Sequence, residues 1–360
     1  MAAGRCQYRG CNEPLYRDPL TQSEFNQAYV AHIIADSPSG PRGHPTLSEA
    51  LKADISNIML LCDRHHRLID RQDVEGHPVE LLQAMKKDHE IRIELQTDAN
   101  EDMQSHILLF GANIGNHSSP LNFKEATLAI APLRYPASHL PIEIGYKNSS
   151  TEDDIEEYWR QEIQNLKSQF QMRVTQPIIA GLIKHLSVFA LAPQPLLIEL
   201  GRLIGDINKA EVHQRRREPT TWEWDSEDRP IEYKIEKPTT KSNQIALNLS
   251  LSAPISNERI VNALGNDSAI WTLTINEPNN DFLHSRSQLS LFRKTMRSLF
   301  DTIKLEHGQD TELHIFPAMP VSTAVELGRV WMPKVHPVLH IYDQNQKRNG
   351  FFKAHTITHT

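Results

Sequence analysis

The chain spends its three cysteines in one pattern. Cys6 and Cys11 are separated by four residues, and Cys62 follows after fifty more, with two residues between it and His65 (C-x4-C, then C-x2-H). Thiolate and imidazole close a tetrahedron around zinc when the metal is structural. Cys6, Cys11, Cys62 and His65 provide that donor set from two short knuckles. A module this small has too little core to fold alone, and a bound metal supplies the missing folding energy. Three thiols cannot all pair with one another, and nothing in the sequence points to an oxidising compartment. The first quarter of the chain is therefore constrained to a frame braced by Zn2+.

The spacing around that frame reads as two strands and two helices. Residues 27–34 are apolar and strand-prone around His32, and Asn57-Ile-Met-Leu-Leu61 is a second short strand. Asp63 can cap a helix through Arg64-His65-His66-Arg67-Leu68-Ile69-Asp70. Residues 78–96 form a longer helix with Leu81, Leu82, Met85, His89 and Ile93 roughly on one face.

The stretch Ala31-His32-Ile33-Ile34, followed by Asn57 through Cys62-Asp-Arg-His65-His66 to Asp70, resembles the HNH endonuclease family, including the nine-residue step from Asn57 to His66. The resemblance implies a small ββα-metal domain over residues 1–100. It implies that His32 activates water as general base, that Asn57 holds the His32 loop by hydrogen bonds, and that His66 ligates a catalytic divalent ion, Mg2+ or similar. Asp70, one helical turn beyond His66, is placed for a second ligand. Many family members carry Asp, Glu or His directly before the base, whereas here that position is Ala31. Asp36, four residues past His32, is a candidate to complete the ligand set, or else a turn residue before Ser37-Pro-Ser-Gly-Pro41.

Charge tempers the DNA-cutting reading. The whole chain carries −7. Residues 1–95 hold eleven Lys and Arg against fourteen Asp and Glu, or −3. Tight duplex binders usually present a basic surface, so a weak binder made effective by assembly fits better than one bound constitutively. No stretch is apolar enough to span a membrane and no leader pattern opens the chain, which makes the cytoplasm the expected location.

The remainder contains a duplication. Residues 186–202 (LSVFALAPQPLLIELGR) and 313–329 (LHIFPAMPVSTAVELGR) align without a gap at an offset of 127. Seven of the seventeen positions are identical: Leu186/Leu313, Phe189/Phe316, Pro193/Pro320, Glu199/Glu326, Leu200/Leu327, Gly201/Gly328 and Arg202/Arg329. Each copy reads as a buried strand, a Pro-bearing turn and a helix, followed by a second strand with a matched histidine, His213 or His340. Residues 245–252 and 269–276 read as strands, and 257–264 and 285–304 as helices, the last with an apolar stripe from Leu289 to Ile303. Helix–strand alternation predicts an α/β fold of parallel sheets covered by helices.

In such sheets ligands sit beyond the strand carboxyl ends, against helix N-termini that offer N–H groups to phosphate. Both copies place a turn there, and Gln194, Pro320, Ser322 and Thr323 are the candidate ligand residues, with an ordinary N-cap as the bland role of the hydroxyls. Trp222 and Trp224, just after Arg215-Arg216-Arg217, suit base stacking or else a plain strand. Asn113 ends another strand-like run, and Arg286 opens the long helix.

From about Ser105 to Thr360 the chain resembles a SAVED domain, most strongly through His314-Ile-Phe-Pro-Ala-Met-Pro-Val-Ser-Thr-Ala-Val-Glu-Leu-Gly-Arg329, and the combination resembles the HNH–SAVED effectors of bacterial CBASS antiphage signalling. That resemblance implies two CARF-like, Rossmann-type halves over residues 105–360. It also implies a cyclic di- or trinucleotide activator, a homo-oligomer (dimer or tetramer) as the active form, and double-stranded DNA as substrate. Two other readings stay open. One is a restriction-type enzyme whose C-terminal half reads modified DNA; the other, suggested by Ala31, is a sensor without catalysis.

Overall fold

The computed structural model describes residues 2–17, 23–97, 101–113, 120–145, 153, 155–225, 227, 229–240, 242–308, 310–345, 347–348 and 350–359. Two compact units divide the chain, Met1–Glu101 and Asp102–Thr360. No helix among the described residues is long and apolar enough to cross a membrane.

In the first unit, β1 (Ala28–His32) and β2 (Ile58–Cys62) pair antiparallel, with His32 opposite Ile58 and Ala31 opposite Met59. Between them lie a single turn, α1 (Leu47–Ala50), and a 3-10 turn over Ile55–Asn57. Helix α2 (Asp63–Arg67) springs directly from β2. Its N-cap is Cys62, one residue before the expected Asp63, whose carboxylate instead holds Arg67 one turn on. A π turn over Leu68–Gln72 extends it, and α3 (Val79–Thr97) closes the unit. Among the described residues its main buried apolar cluster holds ten side chains, Cys6 and Cys62 among them. That is scant for a hundred residues, as the cysteine pattern predicts.

The second unit opens with β3 (Gln104–Gly111), α4 (Phe123–Ile130), β4 (Tyr135–Pro136) and β5 (Ile142–Ile144), then α5 (Glu156–Phe170) and α6 (Gln176–Ile179). Then come β6 (Leu186–Leu191), α7 (Gln194–Ile204), β7 (Ala210–Val212) and a tight hairpin, β8 (Arg216–Arg217) with β9 (Thr220–Thr221). The rest is β10 (Lys234–Glu236), β11 (Ile245–Ser250), α8 (Asn257–Leu264), β12 (Ala269–Thr274), α9 (Arg286–His307), β13 (Glu312–Ala318), α10 (Val321–Val330), β14 (Val338–Asn345) and β15 (Gly350–Ile357).

Two sheets result. In the first, β3 pairs with β4 and β5 along one edge and with β6 on the other, and β7 follows β6, all parallel. The second has the order β10-β12-β11-β13-β14-β15. Its inner four strands are parallel and its two edges antiparallel. The alternation of elements predicts the parallel centre but not these edges, since among the described residues no helix intervenes between β14 and β15 or between β10 and β11.

The repeat is real in three dimensions and also corrects one expectation. Leu186 lies opposite Ala210 and Val188 opposite Val212, whereas Leu313 lies opposite Leu339 and Ile315 opposite Ile341. The offset of 127 in the first strand becomes 129 in the second (Ala210 to Leu339), because the second helix-to-strand connection is two residues longer. His213 and His340 are therefore not equivalents. His213 corresponds to Tyr342, and both stack on the repeated phenylalanine, His213 on Phe189 and Tyr342 on Phe316, each with ring centroids 4.4 Å apart. His340 falls at the register of Glu211.

Helices α7 and α10 cross at the shared Glu-Leu-Gly-Arg. A Cβ on Gly201 would sit 1.9 Å from the Val325 carbonyl oxygen, and one on Gly328 would sit 1.9 Å from that of Ile198. Since 198 maps to 325 and 201 to 328, the contact maps onto itself, which is the signature of a twofold axis between the helices. In each copy the arginine pairs with the glutamate three residues earlier, Arg202–Glu199 at 2.6 Å and Arg329–Glu326 at 2.8 Å. Around this crossing one apolar cluster, including Leu196, Leu200, Val325 and Leu327, runs through both halves.

Candidate functional site

In the first unit the ligand atoms of Cys6, Cys11, Cys62 and His65 lie within 4.8 Å of one another. The His65 Nδ1 is 3.6 Å from the Cys6 sulfur and 3.2 Å from that of Cys62. Donors around a tetrahedral zinc, with bonds of about 2.0–2.3 Å, stand at such separations. The electrostatics fit as well. Burial pushes the Cys6 thiol up to about 12, with the neighbouring thiols adding to the rise, so a dication is what would make this cluster thiolate. Burial first, then Arg64, lowers the His65 pKa and favours the neutral imidazole that binds metal. Tyr8 stacks flat on His65 at 4.1 Å and hydrogen-bonds His77 at 3.0 Å, fixing the ring from behind.

The HNH-like residues sit on the same small frame. Asn57 is buried, and its carboxamide accepts from the Ile34 N–H at 2.8 Å while donating to the Ile34 carbonyl at 2.8 Å and to that of Leu51 at 3.3 Å. It thus pins the backbone two residues past His32. The His32 Nε2 faces the Lys52 carbonyl at 3.0 Å. A carbonyl only accepts, so that nitrogen carries the proton and Nδ1 keeps the lone pair a base needs.

His66 stacks on Tyr29 of β1 at 4.7 Å and directs Nε2 at Asp70, 3.2 Å away. Asp70 is also bound by Arg42 at 2.5 Å. Asp36 is exposed on the following loop. The Cys/His cluster is the one group among the described residues that gathers three or more metal-ligating side chains. Around His66 the described residues thus gather fewer than three such groups, the imidazole and the Asp70 carboxylate among them.

In the second unit the two repeated turns meet. Gln194, at the start of α7, donates to the Met319 carbonyl at 2.8 Å. Gln214, just past β7, accepts from both the N–H (3.1 Å) and the hydroxyl (2.8 Å) of Ser322 in the first turn of α10. Ser322 and Thr323 are wholly buried, and Thr323 bonds back to the Pro320 carbonyl at 2.7 Å. Their hydroxyls anchor the turn, as N-terminal Ser and Thr commonly do. Pro320 is the N-cap of α10. Trp222 is buried against Phe189 under Arg215, in the core rather than a cleft. Arg286 is engaged by Glu211. Asn113 lends its carbonyl to the Tyr158 hydroxyl at 3.1 Å.

A polar group lies beside these turns, of which the sequence singles out His213, Arg216 and Trp224 but not Gln214, Asp225 or His284. His213, Gln214, Arg216, Trp224, Asp225 and His284 follow β7 or face it. Arg216 pairs with Asp225, and His284 lies 3.3 Å from the same carboxylate. Burial, with Arg286 adding and Glu211 opposing, holds the His213 pKa down to about 4. Gln194 Oε1, Trp224 Nε1 and Arg216 Nε are buried without a hydrogen-bond partner. Natural interiors leave few such atoms, and His213 Nδ1 and Nε2, Asp225 Oδ2 and His284 Nδ1 are buried without a hydrogen-bond partner as well.

No curated protein matches the chain. Among solved structures, the Cap4 SAVED/CARF-domain receptor of Acinetobacter baumannii is 12% identical over 74% of this chain and 55% of its own, with a TM-score of 0.43. The same receptor with the cyclic trinucleotide 3'3'3'-cAAA gives 12%, 77%, 59% and 0.45. The Moraxella osloensis Cap4 receptor gives 12%, 78%, 58% and 0.43. The chain spans less than three fifths of the length of these receptors. Residues 165–357, more than half of the chain, match the family described as the SMODS-associated and fused to various effectors sensor domain, and the protein with this twofold-repeated α/β unit belongs to the SAVED family.

Proposed function

We propose that the second unit binds a cyclic oligonucleotide and thereby switches on DNA cleavage by the first. The observation that carries the sensor half is the meeting of the two repeated turns at the strand carboxyl ends, together with the unpartnered buried polar atoms that follow β7. Carboxamide, indole N–H and guanidinium suit the base edges, hydroxyls and phosphates of a small cyclic nucleotide. Membership of the SAVED family and the cyclic trinucleotide held by the Cap4 receptor support the same ligand class.

The nuclease half is supported by the HNH-like residues on their metal-braced frame. His32, with Nδ1 free, takes the proton from water. Asn57 keeps the His32 segment in register, and His66 holds the divalent ion. That ion, when bound, stabilises charge on the phosphorane and the leaving oxygen. The net charge of −3 on residues 1–95 leaves one copy a weak DNA binder. Assembly into a dimer or tetramer, driven by the activator, raises effective concentration on the duplex.

The test is to incubate purified protein with supercoiled plasmid, Mg2+ and a panel of cyclic di- and trinucleotides, following nicking and particle mass together. Cleavage and a mass increase with one panel member, and neither without it, are the expected result. Equal cutting with and without every cyclic nucleotide overturns the gating. Activator binding with no cutting under Mg2+ or Mn2+ leaves a sensor without catalysis.

A further inference from the structure

Arg42 lies in the Pro-Ser-Gly-Pro-Arg-Gly loop between β1 and α1, a stretch with no motif value in the sequence. Its backbone adopts the left-handed region, φ 57°, which a non-glycine residue holds only where its surroundings compensate. The compensation is visible. The guanidinium is nearly buried, with 6% exposure, and spends its donors on three fixed acceptors. Nε donates to the Ile33 carbonyl at 2.7 Å, Nη1 to the Ile69 carbonyl at 2.7 Å and Nη2 to the Asp70 carboxylate at 2.5 Å. Ile33 is the neighbour of His32, and Asp70 is the partner of His66. One side chain therefore joins the strand that carries the base to the helix that carries the metal ligand.

We propose that Arg42 is a positioning residue of the nuclease centre, and that through it Asp70 orients His66 rather than binding the ion itself. The proposal rests on the nuclease reading above. Each oxygen of Asp70 already faces a donor atom: Oδ1 accepts from Arg42 Nη2, and Oδ2 lies 3.2 Å from the His66 Nε2. Drawing Asp70 to a cation would strand a buried guanidinium, which proteins avoid. A carboxylate on one imidazole nitrogen while the other faces a metal is the usual way a ligating histidine is aimed. With Nε2 committed to Asp70 and one ring face on Tyr29, Nδ1 is the atom of His66 left to meet the ion.

The opposite reading makes a prediction of opposite sign. If Asp70 were a ligand and Arg42 its competitor, removing Arg42 would tighten ion binding. The experiment is Mn2+ titration of the full-length, zinc-loaded protein by electron paramagnetic resonance. It compares the parent with His66→Ala, Asp70→Asn, Arg42→Ala and Arg42→Lys, and retained zinc content reports folding. His66→Ala defines the signal that belongs to this site. Asp70→Asn is expected to weaken it by roughly 10–100-fold, the usual loss for an outer partner, and each Arg42 variant by about 10-fold.

Plasmid cleavage under activator should fall in parallel. Wild-type or tighter Mn2+ binding in a zinc-retaining Arg42 variant overturns the proposal. So does complete loss of the site's signal in Asp70→Asn, which would make Asp70 a ligand. Arg42→Lys, whose single ammonium cannot span three acceptors, serves if Arg42→Ala loses its zinc. A His66-dependent Mn2+ site in a protein that never cuts DNA would sink the nuclease reading and leave this one standing. A parent protein with no His66-dependent site sinks both.

Discussion

Asn57 shows what one side chain contributes at the residue scale. Its carboxamide satisfies both backbone groups of Ile34 in a buried place. Asn57→Ala strands them, and leaving buried polar groups unmade costs about 1–3 kcal/mol each. Chemical denaturation of the zinc-loaded protein should accordingly show the first unit weakened by about 3 kcal/mol, with activator binding by the second unit intact. His32→Ala removes no such bond network. It should leave the melting behaviour nearly unchanged while cleavage falls by about 10²–10⁴-fold, the usual contribution of a general base. Normal cutting by His32→Ala would dismiss the base assignment. The convergence of the three cysteines and His65 was legible in the sequence because metal-ligand chemistry is tied to spacing, and the same spacing singled out His32, Asn57 and His66 as candidates. Arg42, Lys52 and Tyr29 were not, since each acts across a turn or a strand pair that only the fold brings together.

Between elements, the decisive contact is the crossing of α7 and α10. Alanine is favoured over glycine inside a helix by about 0.5–1 kcal/mol. At Gly201 or Gly328 that gain is outweighed, because the added carbon would lie 1.9 Å from a carbonyl oxygen of the facing helix. Overpacking of this kind costs typically about 1–3 kcal/mol, so Gly201→Ala should destabilise the second unit on balance, seen as a lower denaturant midpoint. Unchanged stability would mean the helices can part freely. The repeat made this pair of helices readable from the sequence, since identical residues at a constant offset survive where both copies meet a common constraint. The strand after each helix was misaligned by two residues, because the longer second connection lies beyond the matched segment. Edge strands β10 and β15 escaped notice for a different reason: β10 is only three residues long and exposed, and β15 alternates weakly at a half-buried edge.

At the scale of the whole molecule the two units differ in what can hold them: the first gathers a Cys/His cluster beside a small apolar cluster, and the second has a large apolar core. Stripping zinc with a strong chelator should abolish the calorimetric transition of the first unit and spare that of the second; joint collapse would argue against a metal-braced module. Acid should weaken the second unit in a defined window. Burial holds His185, His213 and His314 near a pKa of about 4 in the folded chain, whereas an unfolded histidine titrates near 6.5. Between those values the unfolded chain binds more protons, so stability is complete above about pH 6.5 and declines as the pH falls toward 4. His213→Phe, which keeps a ring on Phe189, should flatten that decline when melting temperature is followed from pH 7 to pH 4.5. The glycine crossing carries one more implication. Where two helix backbones touch without intervening side chains, there is no layer that can slip, so the junction behaves as a rivet and not a hinge. A rocking of one half upon the other about this crossing would have to break that backbone contact first.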